Sequence, residues 1–312
     1  MESQAERQQQ NETSFAWGPI GENRPAKNES SQLKVVAFNS RGGSFLGEIV
    51  DRLRRPPLSD PDVILLCEAD WGLKRSNRCE MAAELAAAMR MSFAFVGEFG
   101  IWRPEGLQPN AFMGNAILSS RPLADIDALA LPRGFLRRRV RYLGAPAGLI
   151  AKIVVNGKPI TLGVAHLNSR WNPDGRDQQM REFMGALPRD GAAIIGGDFN
   201  TTTIDLRTPS LMMKAAPLFL LTPWRFRRPQ PWEPLFERLG KAGFETRGAN
   251  APGRATFTFS RAIPPWVRPK LDWIALRRLK PEPRSAAVVP ARNGMLSRRF
   301  SDHDFVTCVV RV

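Results

Sequence analysis

The sequence has few cysteines: Cys67, Cys79 and Cys308 are all it offers. They are scattered and form no Cys-x-x-Cys pair. That excludes a disulfide framework and predicts free thiols in a reducing compartment. Histidine is scarcer still, with only His166 and His303. No run of about 18 apolar residues occurs, so no membrane span is predicted; the longest candidate, "AAPLFLL" at 215–221, is far too short. A basic region leading into an apolar stretch is absent from the N-terminus, so no signal peptide is expected and the expected location is cytoplasmic. There is no Gly-x-Ser-x-Gly elbow and no Gly-rich Walker loop, which sets aside serine-hydrolase and P-loop chemistry. Negative charge is also in short supply. Lys and Arg number 45 against 30 Asp and Glu, a net charge of +15. Residues 1–32 carry −2 of this, and residues 199–312 alone carry +12. Such a surface attracts nucleic acid, an anionic membrane or phosphorylated metabolites. An arginine-rich composition that serves only solubility gives the same totals.

What is present begins with turns. The 26 prolines and 25 glycines suit many strands joined by short loops better than a helical bundle. Residues 1–32, rich in Gln, Glu, Asn and Ser, read as a disordered tail. From Leu33, strand-length apolar runs recur: "LKVVAF", "DVILLC", "FAFVG", "NAILSS", "GLIAKIVV", "ITLGVAHL", "AAIIGG", "LDWIAL" and "DFVTCVVRV". Asn156-Gly157 between two of them signals a hairpin. Helical spacing groups Met81, Leu85 and Met89, then Met180, Phe183, Met184 and Leu187, then Leu235, Phe236 and Leu239. Strands with intervening helices, and runs apolar on both faces, predict a layered α/β protein with covered sheets. With no internal repeat or long linker, residues 33–312 read as one domain, expected to be a monomer. The proline-rich stretch 203–234 is its loosest part.

The apolar runs end in a pattern. "VVAFN" ends in Asn39 and "VILLCE" in Glu68. "LGVAH" reaches His166, and "IIGGDFN" ends in Asp198 and Asn200. "KLDWI" embeds Asp272, and "SDHDFV" places Asp302 and His303 before the last strand. Both histidines of the chain are in this set. Taken singly, each residue also suits a bland role: a satisfied core histidine, a buried ion pair, an Asx turn. Together they are harder to explain that way, because several carboxylates buried without cationic partners are costly. Glu68, Asn39 and Asp302 are oxygen donors suited to Mg²⁺ or Mn²⁺, whereas two histidines and dispersed cysteines supply no zinc site. Asp198 can polarise water, and Asp272 can hold His303 protonated. Imidazolium and Mg²⁺ together stabilise negative charge developing on phosphorus.

These strings resemble, in order along nearly all of 33–312, the endonuclease/exonuclease/phosphatase superfamily of metal-dependent phosphoesterases. The segments are "LKVVAFN", "PDVILLCE", "MGNAILSSRPL", "LGVAHLNSRW" with "GRDQQM", "IIGGDFNTT", "KLDWIAL" and "SDHDFV". The resemblance implies a four-layer α/β/β/α sandwich of two packed, mainly antiparallel sheets, with the site at one edge. It implies Glu68 as principal Mg²⁺ ligand, with Asn39 and Asp302 nearby. Asp198 then orients or deprotonates water, and Asn200 positions that water and the phosphate. His166 and the Asp272-buttressed His303 donate to phosphate oxygens. Cys67, Phe38 and Ala165 stand where the family often has Gln, Trp and Thr.

The catalytic set does not choose among phosphate esters; loops do. Here "RGFLRRRVR" (133–141), "WRFRRPQPW" (224–232), "RAIPPWVRPK" (261–270) and "SRRF" (297–300) mix arginine with aromatics. That mixture suits a groove for backbone phosphates and stacked bases, and it also suits solvated faces and core aromatics. The expectation is a Mg²⁺-dependent nuclease on DNA or RNA. The alternatives are a phosphomonoesterase or phospholipase-like hydrolase of the same superfamily, acting on an anionic membrane surface, and a non-catalytic binding module.

Overall fold

The computed structural model describes residues 20–25, 30–103, 106–133, 142–208 and 210–312, apart from 212, 214–216, 219–220, 259–263 and 296. Its strands are β1 (Ile20–Glu22), β2 (Gln32–Asn39), β3 (Val63–Trp71), β4 (Ser92–Arg103), β5 (Gly106–Ser119), β6 (Ala124–Ala130), β7 (Tyr142–Gly144), β8 (Ala147–Val155), β9 (Lys158–Ala165), β10 (Ala192–Asp198), β11 (Phe244–Glu245), β12 (Asp272–Arg277), β13 (Lys280–Pro281), β14 (Ala287–Val289) and β15 (Phe305–Arg311). The helices are α1 (Leu46–Leu53), α2 (Met81–Met89), α3 (Pro173–Ala186), α4 (Pro223–Arg227) and α5 (Leu235–Lys241).

Two sheets result. The larger runs β1-β4-β5-β3-β2-β15-β13, with β7 beside β4 and β14 beside β15; the smaller runs β11-β12-β10-β9-β8-β6. Pairing is antiparallel throughout except for β2 with β3 and β9 with β10. Strand alternation sorts each apolar run between two interfaces. In β2, Val35 and Ala37 face the space between the sheets, while Val36 and Phe38 face α1 and α2. In β10, Ile194 faces between the sheets, while Ala193 and Ile195 face α3 and α5. Three apolar layers therefore separate four structural layers, the expected α/β/β/α sandwich. Among the described residues, no helix is long and apolar enough to cross a membrane.

The hairpin at Asn156-Gly157 is present, with both residues at positive φ (49° and 73°), as a tight turn between β8 and β9 requires. α3 starts where its caps predict: the Asn172 side chain accepts from Gly175 N at 3.0 Å, and Pro173 opens the first turn. Met180, Phe183 and Leu187 are buried by it.

Two expectations need correction. Residues 20–22, placed in a disordered tail, form β1 on the edge of β4. The segment is held by polar contacts: Asn23 exchanges side-chain hydrogen bonds with the Leu123 carbonyl (3.1 Å) and amide (2.7 Å). Composition is blind to such an anchor. Nor does the third strand end at Glu68. It continues to Trp71 through a bulge, where the register with β5 shifts between Leu66 and Ala69 and Glu68 takes φ +55°. Of the basic segment 133–141, only Arg133 lies among the described residues.

Candidate active site

β2, β3, β9, β10 and β12 release their polar residues at one end of the sandwich. Asn39 is the last residue of β2 and Asp198 the last of β10; Asp272 is the first of β12. His166 follows β9 and His303 precedes β15. Two glycines make the approach possible. A Cβ on Gly196 would lie 2.6 Å from the Trp273 carbonyl oxygen; one on Gly197, at φ +128°, would lie 2.4 Å from that of Ala165. The bulge at Glu68 re-aims a side chain that regular alternation would send elsewhere.

Asn39 binds two of these groups at once: its Nδ2 donates to Glu68 Oε1 at 2.9 Å and to Asp198 Oδ2 at 3.0 Å. Asp198 Oδ2 also lies between two imidazoles, 3.7 Å from His166 Nε2 and 3.6 Å from His303 Nε2. Each imidazole has a carboxylate on its far side. His303 Nδ1 is 2.8 Å from Asp272 Oδ2, and His166 Nδ1 is 3.6 Å from Glu98 Oε2. Phe257 packs edge-on against His303, with ring centroids 4.9 Å apart. Asp198 also sits directly opposite Asp272 in the β10–β12 register. Two facing carboxylates repel, and the His303 cation between them offsets this.

Burial works against a charged His303, but Asp272 and then Asp198 overcome it and raise its pKa to about 10. Burial likewise opposes charge on His166, which Glu98, Asp198 and Glu68 raise to about 9. Both imidazoles are therefore cations at neutral pH, with Nε2–H directed toward the Asp198 side of the site.

Glu98 was not anticipated from the sequence. It is buried in β4, where its Oε1 accepts from Asn115 Nδ2 and Ala147 N, both at 2.9 Å. Its Oε2 has no hydrogen-bond donor and faces His166. One signal was available: a lone carboxylate inside the apolar run "FAFVGEFG".

The remaining expected residues lie close by in different attitudes. Asn200, at φ +49°, donates its amide to the Leu167 carbonyl at 2.7 Å, and its backbone N–H donates to Asp198 Oδ1 at 3.0 Å. It thus ties the His166 loop to the Asp198 turn. Asp302 stands at the rim with Arg41 Nε at 3.6 Å, and among the described residues no hydrogen bond or ion pair joins it to Glu68. The turn is fixed from below. Thr201 Oγ1 donates to the Lys270 carbonyl (2.7 Å) and accepts from Trp273 Nε1 (2.9 Å). Cys67 Sγ accepts from Asp198 N at 3.4 Å; burial pushes this thiol well up, so it is a packing group and not a nucleophile. The "GRDQQM" helix contributes Gln179, which accepts from Asn168 N at 2.8 Å. It also contributes the buried Arg176, paired bidentately with Glu233, whose Oε1 accepts from Thr203 N at 2.7 Å.

Can these residues hold a divalent cation? Glu68, Glu98, Asp198 and Asp272 bring four carboxylates to the two imidazoles. Two negative charges remain over, which a divalent cation would neutralise. The half-buried Glu68 carboxylate and the Asp302 carboxylate are hard oxygen donors. Asn39 Oδ1 accepts only from Arg41 N, leaving a lone pair. Mg²⁺ binds through one or two carboxylates and keeps several waters, so the donor set fits. The cluster Asp198–Asp272–His303 also brings three possible ligand atoms within 4.8 Å. The short Asp272–His303 hydrogen bond instead reads as an acid–base couple.

A strand-end cluster of carboxylates and paired histidines in a four-layer sandwich defines a phosphoester hydrolase. The family is specific: the model of the endonuclease/exonuclease/phosphatase family matches residues 36–303, and the chain belongs to that family. Its members hydrolyse phosphoester bonds with a divalent metal, and this chain is such a hydrolase by class. No curated protein sequence matches the chain significantly. Among solved structures, it is similar to an endonuclease/exonuclease/phosphatase from Beutenbergia cavernae (TM-score 0.63, 16% identity, 90% of this chain and 72% of that one). It is also similar to D. rerio TDP2 complexed with single-strand DNA product (0.54, 19%, 91% and 100%). A third is the inositol polyphosphate 5-phosphatase domain of SPsynaptojanin in complex with inositol (1,4)-bisphosphate and calcium ion (0.51, 14%, 99% and 88%). At these identities the likeness concerns the fold.

Proposed function

We propose that the protein is a Mg²⁺-dependent phosphodiesterase whose substrate is nucleic acid, DNA or RNA, with Mn²⁺ able to replace Mg²⁺. The observation that carries the reading is Asp198 Oδ2 set between two carboxylate-backed imidazoles and joined through Asn39 to Glu68. In this reading Asp198 accepts the proton of the attacking water as the new O–P bond forms. His303 and His166 donate from Nε2 to phosphate oxygens and stabilise the charge that develops there. The leaving oxygen departs as the opposite P–O bond breaks and takes its proton from an imidazolium or water. Asp272 and Glu98 hold the two rings in the orientation and charge state this requires. The second amide proton of Asn200 is available to the phosphate or the water. A divalent cation held by Glu68, with Asn39 and Asp302, would supply Lewis-acid polarisation of a phosphoryl oxygen.

Nucleic acid is favoured over other esters by the surface around α4, whose Arg225 is hydrogen-bonded to Thr203, three residues after Asn200. Trp224 and Trp266 are 56% and 59% exposed, unusual for tryptophan, and share one depression of about 530 Å³ with Arg227 and Arg228. Open indole faces next to guanidinium groups offer stacking for bases and charge for phosphates. In D. rerio TDP2 the same fold is complexed with single-strand DNA product.

The test is a panel with Mg²⁺ of duplex and single-stranded DNA, RNA, an abasic duplex and phosphoinositide or sphingomyelin vesicles, each with an EDTA control. Cation-dependent cleavage of a nucleic acid is expected. Turnover of the lipid phosphates alone would replace this reading with a phospholipase-like one. No turnover of any of them would leave the binding-module reading.

A further inference from the structure

Beside the catalytic turn lies a second cavity, of about 780 Å³, in the size range of ligand pockets. Its walls come from four places: the end of α4 with the segment after it, the loop after β11, Lys270 and Trp273 at the start of β12, and the β13–β14 connection. Among the described residues the lining holds Arg227, Arg228, Arg247, Arg284 and Lys270, and no Asp or Glu. Among the described residues, none of these five cations has a carboxylate partner within ion-pair distance. Lys270 is the telling one. It is 1% exposed, and among the described residues its Nζ has no hydrogen-bond acceptor; it lies 4.5 Å from the Trp273 ring and feels the Asp272 charge. Arg227 Nε is likewise buried without an acceptor. A buried ammonium without an acceptor is unfavourable by several kcal/mol unless a ligand supplies one. Four guanidinium charges around one cavity repel one another, burial lowers the Lys270 pKa to about 7, and an anion reverses the sign of the repulsion and favours the charged lysine.

The cavity is mechanically joined to the site. Lys270 lies two residues before Asp272, about 7 Å of extended chain. Its carbonyl receives the Thr201 hydroxyl, one residue after Asn200. The cavity also shares Arg227 and Arg228 with the tryptophan-lined depression.

We propose that this cavity is a second anion site, which binds a phosphate group of the substrate other than the one being hydrolysed and so selects substrates that carry several phosphates. The proposal rests on the phosphoesterase reading of the Asp198 centre, and it deepens that reading by naming what the remote end of the substrate must carry.

Arg247→Ala/Arg284→Ala tests it, because both arginines are exposed and hold nothing else in place. Lys270→Met is a second variant that keeps the buried volume. Inorganic pyrophosphate is titrated calorimetrically into the full chain in EDTA, and KM and kcat are measured with Mg²⁺. The two substrates are a short oligonucleotide and bis(p-nitrophenyl) phosphate, which has a single phosphate. The wild type is expected to bind pyrophosphate, and the double variant to bind it weaker by on the order of ten-fold or more. KM for the oligonucleotide should rise similarly, its salt dependence should flatten by a log–log slope of about 1.4, and the bis(p-nitrophenyl) phosphate reaction should be unchanged. Absence of pyrophosphate binding, binding indifferent to the substitutions, or an equal loss on both substrates overturns the proposal. If oligonucleotides are not cut at all, the nucleic-acid reading falls, while the pyrophosphate titration still judges the cavity.

Discussion

Asp272→Asn is the substitution whose consequence follows most closely from the geometry. Asp272 Oδ2 lies 2.8 Å from His303 Nδ1 and is the leading cause that raises the His303 pKa from 6.5 to about 10. Asparagine keeps the shape and removes the charge, so the His303 pKa should fall from about 10 toward 6.5, with burial pressing it down and Asp198, 3.6 Å from Nε2, still holding it up. The full displacement from 6.5 to about 10, which Asp272 leads and Asp198 and Asp302 share, is on the order of 5 kcal/mol of preference for the cation and is the upper limit of the loss. At pH 8 the imidazolium fraction would fall from about 99% toward a limit of about 3%, a loss of up to about 30-fold in kcat from protonation alone. An amide facing Nδ1 can also fix the wrong ring tautomer, which extends the loss toward about 10⁴-fold. The sign is definite. Because the native pKa is raised, the pair's contribution to stability is complete below pH 6.5 and is lost as pH rises through about 10. The activity deficit of the variant should therefore shrink as pH falls toward 5.5. The assay is kcat on bis(p-nitrophenyl) phosphate at saturating Mg²⁺ from pH 5 to 10. It is read beside the imidazole nitrogen chemical shifts, which are simple in a chain with two histidines. An alkaline limb and a His303 titration that stay where the wild type has them would refute the coupling.

Other perturbations separate the remaining parts. Glu98→Gln should lower the His166 pKa from about 9 while leaving His303 in place, and the same two imidazole signals measure it. Glu68→Gln should raise the Mg²⁺ concentration for half-maximal activity by on the order of 10- to 100-fold with little change in thermal stability; titration of activity and of calorimetric Mg²⁺ binding follows it. Gly197→Ala should destabilise the fold by about 1–3 kcal/mol in urea, because φ +128° disfavours a side chain and its Cβ would press on the Ala165 carbonyl. An unchanged unfolding midpoint would mean that the β10 turn does not need glycine.

Much of the architecture could be read from where apolar runs stop. Asn39, Asp198 and Asp272 sit at the ends of strands buried on both faces, and a polar residue there points toward a loop edge with few competing explanations. The four layers followed from the continuous burial of runs such as β2 and β10. Glu98 could not be found this way, because it lies within β4, and the features that justify its burial come from Asn115, Ala147 and His166, far along the chain. The bulge at Glu68 needs a left-handed backbone at a residue with no preference for it, so only tertiary constraint puts it there. The edge strand β6, mostly exposed, has too little apolar alternation to register. β1 is held by backbone pairing and by Asn23, neither of which leaves a compositional trace. The Lys270 cavity assembles from four separate segments, and no local pattern marks it.

The central claim is that Asp198, flanked by the His303 and His166 couples, removes a proton from water during cation-dependent cleavage of a phosphate diester. The direct measurement is the initial rate of bis(p-nitrophenyl) phosphate hydrolysis by the wild type and by Asp198→Asn, with Mg²⁺ and with EDTA. Circular dichroism and the melting midpoint are recorded for both proteins. The account predicts Mg²⁺-dependent turnover by the wild type, abolished by EDTA, and a fall of about 10²- to 10⁴-fold in the folded variant. A folded Asp198→Asn protein that turns over at the wild-type rate, or wild-type hydrolysis indifferent to EDTA, would contradict it.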